Sequence, residues 1–217
     1  MIAAVAYYLR LLAYRQSVIP PVLLYLVLLG MIFATDAGPP VPAATVTAAA
    51  LMPVSAWLMR LAAVSETRPF AEMTAVALGS PTRRLLARAA AAAVVGVGLS
   101  AVAVGWARVA NPHHHYGTGT LLIMAAMHLA QVIAGVGIGA LVSPPLPVTS
   151  GVAALAITAV VLLSLLIRWL PPLAPTLYQL ARTPVPGGGT LLIAIGQAPV
   201  VGVLALAGAA ALGRRAG

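Results

Sequence analysis

The sequence predicts an all-α, polytopic membrane protein: six transmembrane helices, an N-terminal interfacial helix and a cytoplasmic helix between the second and third spans. Three observations carry this expectation. Of the 217 residues 62% are hydrophobic and only 7% charged, with a mean hydropathy of +1.05, far outside the range of a soluble globular domain. The apolar residues run in stretches of the ~20 residues needed to cross ~30 Å of hydrocarbon as helix, and the chain has room for about six or seven of them beside short connections. Finally, the one long polar passage is 65–88, SETRPFAEMTAVALGSPTRRLLAR, with two of the three acidic residues and four of the twelve arginines.

Residues 1–16, MIAAVAYYLRLLAYRQ, mix both textures. Ile2, Val5, Leu9 and Leu12 share one side of a helix while Tyr7, Arg10 and Tyr14 share another, a pattern suited to lying in the membrane interface. A simple extension of the first span is the alternative. A signal peptide is not expected, since neither a basic start nor a cleavage motif is present. Within 17–64, span one is expected at about 18–35, with Pro20 and Pro21 where missing backbone donors cost least. Span two follows at about 41–64, with Pro53 as a kink and Arg60 near enough to the end to snorkel.

The segment 65–84 then reads as a short helix, a break and a restart. Thr67 is placed to cap and Pro69 fits a first turn. Gly79 ends the helix, and Ser80-Pro81 opens the next. Phe70, Met73, Thr74 and Ala77 fall on one face, and Glu66 and Glu72 near the amino end suit the helix dipole. Arg83 and Arg84 do not: they sit in a first turn, where positive charge is unfavourable. Anionic lipid headgroups, a protein partner or the setting of membrane orientation would each account for them.

Spans three and four occupy 85–142. The third, about 85–107, is rich in Ala, Val and Gly and ends at Trp106-Ala-Arg108. The fourth, about 120–142, carries His128, Gln131 and glycines at 135, 137 and 139, of which 135 and 139 are expected to pack on a neighbouring helix. Span five lies in 148–169 and closes on Arg168-Trp169. The segment 170–189 is too rich in proline to cross, so a short helix near 175–182 in the outer interface is expected. Span six runs over 190–212 and contains Gln197 and Pro199.

The net charge of +9 is read as orientation and not as nucleic-acid binding, because the arginines cluster at span ends. With a cytoplasmic amino terminus, Arg10, Arg15, Arg60, Arg68, Arg83, Arg84, Arg88, Arg214 and Arg215 fall inside, against Arg108, Arg168 and Arg182 outside. Both termini are therefore expected in the cytoplasm. The chain has no cysteine, which excludes disulfides, thiolate catalysis and cysteine-ligated metals.

An interfacial amino-terminal helix, six spans, a cytoplasmic helix after span two and a half-buried outer segment before span six occur together here. This layout resembles the membrane (permease) subunit of type-2 ABC exporters, and Glu66-Thr-Arg-Pro-Phe-Ala-Glu72 through Ser80-Pro81-Thr-Arg-Arg84 looks like that family's connector into its third span. The resemblance covers essentially the whole chain and is one of layout more than of a sharp motif. It implies that 1–16 form the elbow helix and about 67–79 the coupling helix, with Glu66, Arg68, Phe70, Glu72, Met73, Arg83 and Arg84 as residues contacting a separate ATPase. It also implies a second permease copy or a homologous permease, with ATP and magnesium on the ATPase subunit, in a bacterial inner membrane. The outer loops are shorter than in larger relatives. No phosphate-binding G-x-x-x-x-G-K-[ST] loop is present, so this chain is expected to hold no cofactor and to have no catalytic residue of its own. Cargo identity is not legible.

Single polar residues admit two readings. His128 and Gln131, three apart on one helical face, and Gln197 are candidates for the substrate pathway, because ionisable and polar groups at membrane depth usually have a role or a partner. Interhelical hydrogen bonding, and kink stabilisation for Gln197, are the plainer accounts. His113, His114 and His115 are adjacent, and neither a carboxylate nor a thiol is expected nearby, so a polar outer loop is expected there and not a metal site. A Ser164–His128 hydrolytic pair lacks an orienting acid, and no enzyme is expected.

A membrane anchor or assembly factor that recruits a soluble partner, and a stand-alone secondary transporter, are the rival classes. No similarity between 1–108 and 109–217 supports the inverted repeats common in the latter.

Overall fold

The computed structural model describes residues 1–144, 148–167, 170–180 and 188–215, leaving aside the side chains of Arg68, Pro175, Gln179 and Arg215. Among the described residues the chain is entirely helical: α1 (Ile2–Ala13), α2 (Ile19–Ile32), α3 (Pro40–Ala63), α4 (Arg68–Ala77), α5 (Pro81–Ala110), α6 (Thr118–Leu141), α7 (Ser150–Leu166), α8 (Ala174–Leu180) and α9 (Gly188–Arg215), with one 3₁₀ turn at Gln16–Val18.

Four helices, α3, α5, α6 and α9, are long and apolar enough to span a membrane. A fifth span is available if α1 and the segment from Gln16 to Ile32 are counted as one element, but these two parts meet at 84°. The 14 residues of α2 rise about 21 Å and the 17 of α7 about 25 Å at 1.5 Å per residue. Both are short of the ~30 Å hydrocarbon layer. The six expected spans thus resolve into four to five crossings by length, with α2 and α7 shorter than the sequence predicts.

The bundle is built around α3 and α6. In its most apolar stretch α3 is 72% buried, whereas the more apolar α9 is only 22% buried. That ordering is the reverse of a water-soluble bundle. It follows when the surrounding solvent is itself apolar, so that outward faces keep Leu and Val and close helix packing falls to small residues. Leu23, Leu24 and Met31 of α2, Leu155 and Leu166 of α7, and Leu192 and Leu204 of α9 are all exposed.

Close packing at the centre depends on α6 glycines. A Cβ on Gly135 would collide with the backbone carbonyl of Met52, and one on Gly139 with that of Ala56, both on α3. Gly137, on the other face, meets Gly202 of α9 in the same way. One glycine series therefore serves two partners. Gly135 and Gly139, four apart, face α3, and Gly137 between them faces α9, as the 100° step of a helix requires.

Two buried arginines mark where prediction and structure part. Arg60 does not snorkel: it is 4% exposed, and its guanidinium donates to the carbonyls of Val142 at 2.9 Å and Val148 at 2.5 Å. It ties the end of α3 to the α6–α7 connection. Arg88 is 3% exposed and belongs to the cluster described next. In the proline-rich segment α8 stands where an interfacial helix near 175–182 is expected, but Leu173, Ala174, Thr176 and Leu180 are buried, so the helix is packed into the bundle and does not rest on it. The expectations for Arg168, Trp169 and Arg182 lie outside the described residues.

Candidate functional site: the α1–α4 surface

The break between α4 and α5 forms as the local residues dictate. Gly79 adopts φ +75°, a conformation that costs any side chain strain. The Ser80 hydroxyl then accepts the backbone N–H of Arg83 at 3.1 Å, capping α5 ahead of Pro81. Thr67 occupies the N-cap position of α4 with no side-chain capping bond. Glu66 beside it is drawn inward and does not serve the dipole of α4.

The Glu66 carboxylate accepts three side-chain hydrogen bonds. Tyr8 of α1 donates to Oε2 at 2.9 Å, Thr74 of α4 to Oε1 at 2.7 Å, and Arg88 of α5 to Oε2 at 2.6 Å. The Arg88 guanidinium also lies 5.4 Å from the centre of the Tyr8 ring, within cation–π range. Burial raises the carboxyl's affinity for protons, but the bonds from Thr74, Arg88 and Tyr8 and the Arg88 charge outweigh it, leaving Glu66 below the ordinary glutamate value. Three helices, α1, α4 and α5, are pinned by one acidic side chain.

Around this joint, α1 buries Tyr8 and Leu12 against Leu61, Ala62, Ala87 and Ala91. The predicted apolar stripe is thereby rotated: Leu12 faces in, while Ile2 is 88% exposed. Arg15 reaches the carbonyl of Leu61 at 3.2 Å, and Arg84 donates to the carbonyl of Ala71 on α4.

Apart from Glu72, the described side chains that α4 leaves uncovered are apolar. Phe70 is 61% exposed, Met73 67% and Val76 81%, a row at three-residue spacing that lies on one helical face. Phe70 and Met73 of this row, with Ala4 and Tyr7 of α1 and Thr74, Ala77 and Leu78, border an open groove of about 410 Å³. Of the residues expected to contact a partner, Phe70, Glu72, Met73 and Arg83 are at the surface, while Glu66 is enclosed and Arg84 is half-buried under α4. The Arg68 side chain lies outside the described set. Thr74, placed with Phe70 and Met73 by periodicity, turns to Glu66. Val76 was missed, although its i+3 spacing from Met73 carries the signal; Tyr8 and Arg88 have no local signal, since only the tertiary fold brings them to Glu66.

The residues singled out at membrane depth are internal. His128 is fully buried, with Nδ1 at 2.8 Å from the Met124 carbonyl and Nε2 at 3.1 Å from the Thr47 hydroxyl of α3. Gln131 donates to the Pro172 carbonyl at 3.1 Å and reaches Thr176 at 3.4 Å, and Thr176 itself donates to Ala194. These two polar residues thus join α6 to α3 on one side and to the α8 segment on the other. Gln197 is half-buried on α9. Ser164 donates to Pro171, so it and His128 have separate partners.

In the loops at the opposite end the histidines do have a carboxylate beside them, against expectation: the fold brings Asp36, 78 residues back, to 2.9 Å from His114, and Asn111 donates to the Gly38 carbonyl at 3.0 Å. These bonds latch the α2–α3 and α5–α6 connections together. Bonds from the Gly38 amide and from His114 hold Asp36 below its ordinary value. Among the described residues no three metal-ligating side chains converge.

Fold and surface together define the class: an α-helical protein with four to five candidate membrane-spanning helices and an apolar, partly uncovered helix held at one end of them. No protein-family model, no curated protein and no solved structure matches this chain.

Proposed function

We propose that this chain is the membrane-spanning permease half of an ATP-driven exporter, working as a dimer with a separate ATPase seated on the α1–α4 surface. The observation that carries the reading is the exposed Phe70–Met73–Val76 face on a helix whose neighbour Glu66 is bonded directly to α1 and α5. A docked motor would find apolar contact on one side of α4. On the other side it would find a rigid, charge-assisted connection into a spanning helix, the arrangement needed to turn displacement of a soluble subunit into helix tilting.

On this reading α2, α3, α5, α6, α7 and α9 are six crossings. The short α2 and α7 are accommodated by local thinning of the bilayer, and α1, nearly perpendicular to α2, lies in the interface. The arginine-rich end faces the cytoplasm, by the charge count made above, in the inner membrane of a bacterium. ATP and magnesium belong to the partner. The chain is not itself an enzyme.

A second reading, a membrane anchor that recruits a soluble protein through the same face, is favoured by one observation. Both ring nitrogens of His128 and the amide nitrogen of Gln131 are engaged by internal partners, and that leaves Gln197 and the unpartnered, fully buried Oε1 of Gln131 as the polar candidates for a cargo path.

Copurification tests the proposal. Tagged protein should carry an untagged ATPase through detergent. Phe70→Glu with Met73→Glu should release it while leaving thermal unfolding of the permease within a few degrees, because both side chains are exposed. A protein that supports its cellular role with no nucleotide-binding subunit present would defeat the exporter reading. Retained ATPase binding with no ATP-dependent transport in vesicles would favour the anchor.

A further inference from the structure

The two helices shorter than the hydrocarbon layer, α2 and α7, each pack on α3 and leave a cleft between them. Its volume is about 390 Å³, and Pro21, Leu24 and Leu28 of α2, Ala50 and Trp57 of α3 and Ala154 of α7 line it. An apolar cavity of ~150 Å³ already takes a benzene ring, and small-molecule sites begin near ~300 Å³. Leu24 is 70% exposed and Thr158, on the α7 rim, is exposed as well, so the cleft opens sideways, toward the surrounding hydrocarbon. From Ala50 to Trp57 it follows α3 for about 10 Å at 1.5 Å per residue. An apolar slot of that length suits one hydrocarbon chain.

Polarity is graded along the cleft in one direction. Trp57, at the end nearest α1, is half-buried, and its indole N–H has no hydrogen-bond partner among the described residues. One turn further along α3, on the same face, the Leu61 carbonyl accepts the Arg15 guanidinium at 3.2 Å. Arg15 is only half-buried and has no carboxylate partner: the ion pairs among the described residues are Arg88–Glu66 and His114–Asp36. The α2 side repeats the order, from Arg15 through the exposed Gln16 and Ser17 to Pro21, Leu24 and Leu28. Charge, then an amphipathic donor, then hydrocarbon matches the order of groups in a phospholipid: phosphate, ester carbonyl, acyl chain. Arginine and tryptophan are also side chains that anchor at the level of the headgroups.

We infer that this cleft binds one anionic phospholipid, with an acyl chain between α2 and α7, an ester carbonyl on the Trp57 indole N–H and the phosphate on Arg15. The unmatched Arg15 charge supplies the preference for an anionic headgroup. The inference requires a membrane around the bundle and does not rest on the ATPase reading.

Native mass spectrometry of the full chain in detergent, titrated with phosphatidylglycerol or phosphatidylcholine, measures the site and reads the oligomeric state in the same spectra. One saturable phosphatidylglycerol per chain is expected, bound several-fold more tightly than phosphatidylcholine. Ala154→Leu, which fills the cleft without touching charge, should abolish it. Ala101→Leu, the same enlargement at an exposed position of α5, should not. Trp57→Phe keeps a ring and removes the donor, and should weaken binding roughly three- to tenfold, the worth of one hydrogen bond. Arg15→Gln should remove the preference for phosphatidylglycerol, whereas Arg214→Gln, at an exposed arginine away from the cleft, should keep it. Should Ala154→Leu or Arg15→Gln fail to fold, Trp57→Phe still decides. No saturable binding, equal affinity for the two lipids, unchanged binding in Ala154→Leu or in Trp57→Phe, or equal loss in Ala101→Leu would overturn the inference. A dimer that binds no lipid and dissociates in Ala154→Leu would overturn it too, and would give the cleft to a second copy of the chain.

Discussion

The Nη2 atom of Arg88 lies 2.6 Å from Oε2 of Glu66, with both side chains almost wholly enclosed. This contact joins the start of the longest helix to the loop before α4, and through Tyr8 it also holds α1. Breaking one side of a buried pair leaves the other charge unmatched. Glu66→Gln is therefore expected to cost about 3 kcal/mol or more. Adding Arg88→Gln should restore part of the loss, as a double-mutant cycle by thermal unfolding in detergent would reveal.

The same pair sets an acid limit. Because folding lowers the Glu66 pKa from its ordinary 4.5, its stabilising contribution is complete above that value and is lost as pH falls through the lower folded one. Unfolding temperature should be flat above about pH 5 on this account and should drop below about pH 4. Glu66→Gln should remove most of that drop.

His128 and Thr47 meet across α6 and α3 at 3.1 Å. Polar pairs between membrane helices are worth about 0.6 kcal/mol on average and up to about 1.7. Thr47→Val should thus lower stability by roughly 1 kcal/mol, and Thr47→Val with His128→Leu should be less than additive. An additive result would mean that the hydrogen bond contributes nothing.

Glycine positions divide sharply. Gly135→Ala, Gly137→Ala and Gly139→Ala each drive a methyl into a facing backbone and should destabilise by about 1–3 kcal/mol. Gly98→Ala and Gly105→Ala on α5 meet nothing within 4 Å, and should be neutral or stabilise by up to about 1 kcal/mol through helix propensity. Melting temperatures of the five variants check the division.

Arg60→Ala should release the carbonyls of Val142 and Val148 and cost about 2 kcal/mol, in the range of hydrogen bonds to a charged group. Limited proteolysis should show faster cleavage in the α6–α7 connection. An unchanged digestion pattern would mean that the clamp is dispensable.

Features that repeat within a few residues were legible. The Gly79–Ser80–Pro81 punctuation places the α4–α5 break correctly, and the spacing of the glycines at 135 and 139 alone marks a packing face. Periodicity failed where a neighbour in space outweighed the neighbour in sequence. Thr74 was assigned to the Phe70 face but turns to Glu66, eight residues back. Glu66 and Arg84 were assigned to a partner, whereas one is enclosed and the other bonds Ala71. Arg60 was expected to reach out along the span, yet its acceptors lie on a connection 82 and 88 residues away.

By itself the sequence determined the helical membrane class, the order of the apolar segments and the polar interruption at 65–88, because each is a local property of composition and spacing. Only the tertiary structure decided which polar groups answer one another: Tyr8, Glu66 and Arg88; His128 and Thr47; Gln131 and Pro172. The physical reason is that an apolar surrounding offers a polar atom no solvent partner. Its partner is then whatever donor or acceptor the packing of distant helices brings within about 3 Å, and no local pattern encodes that.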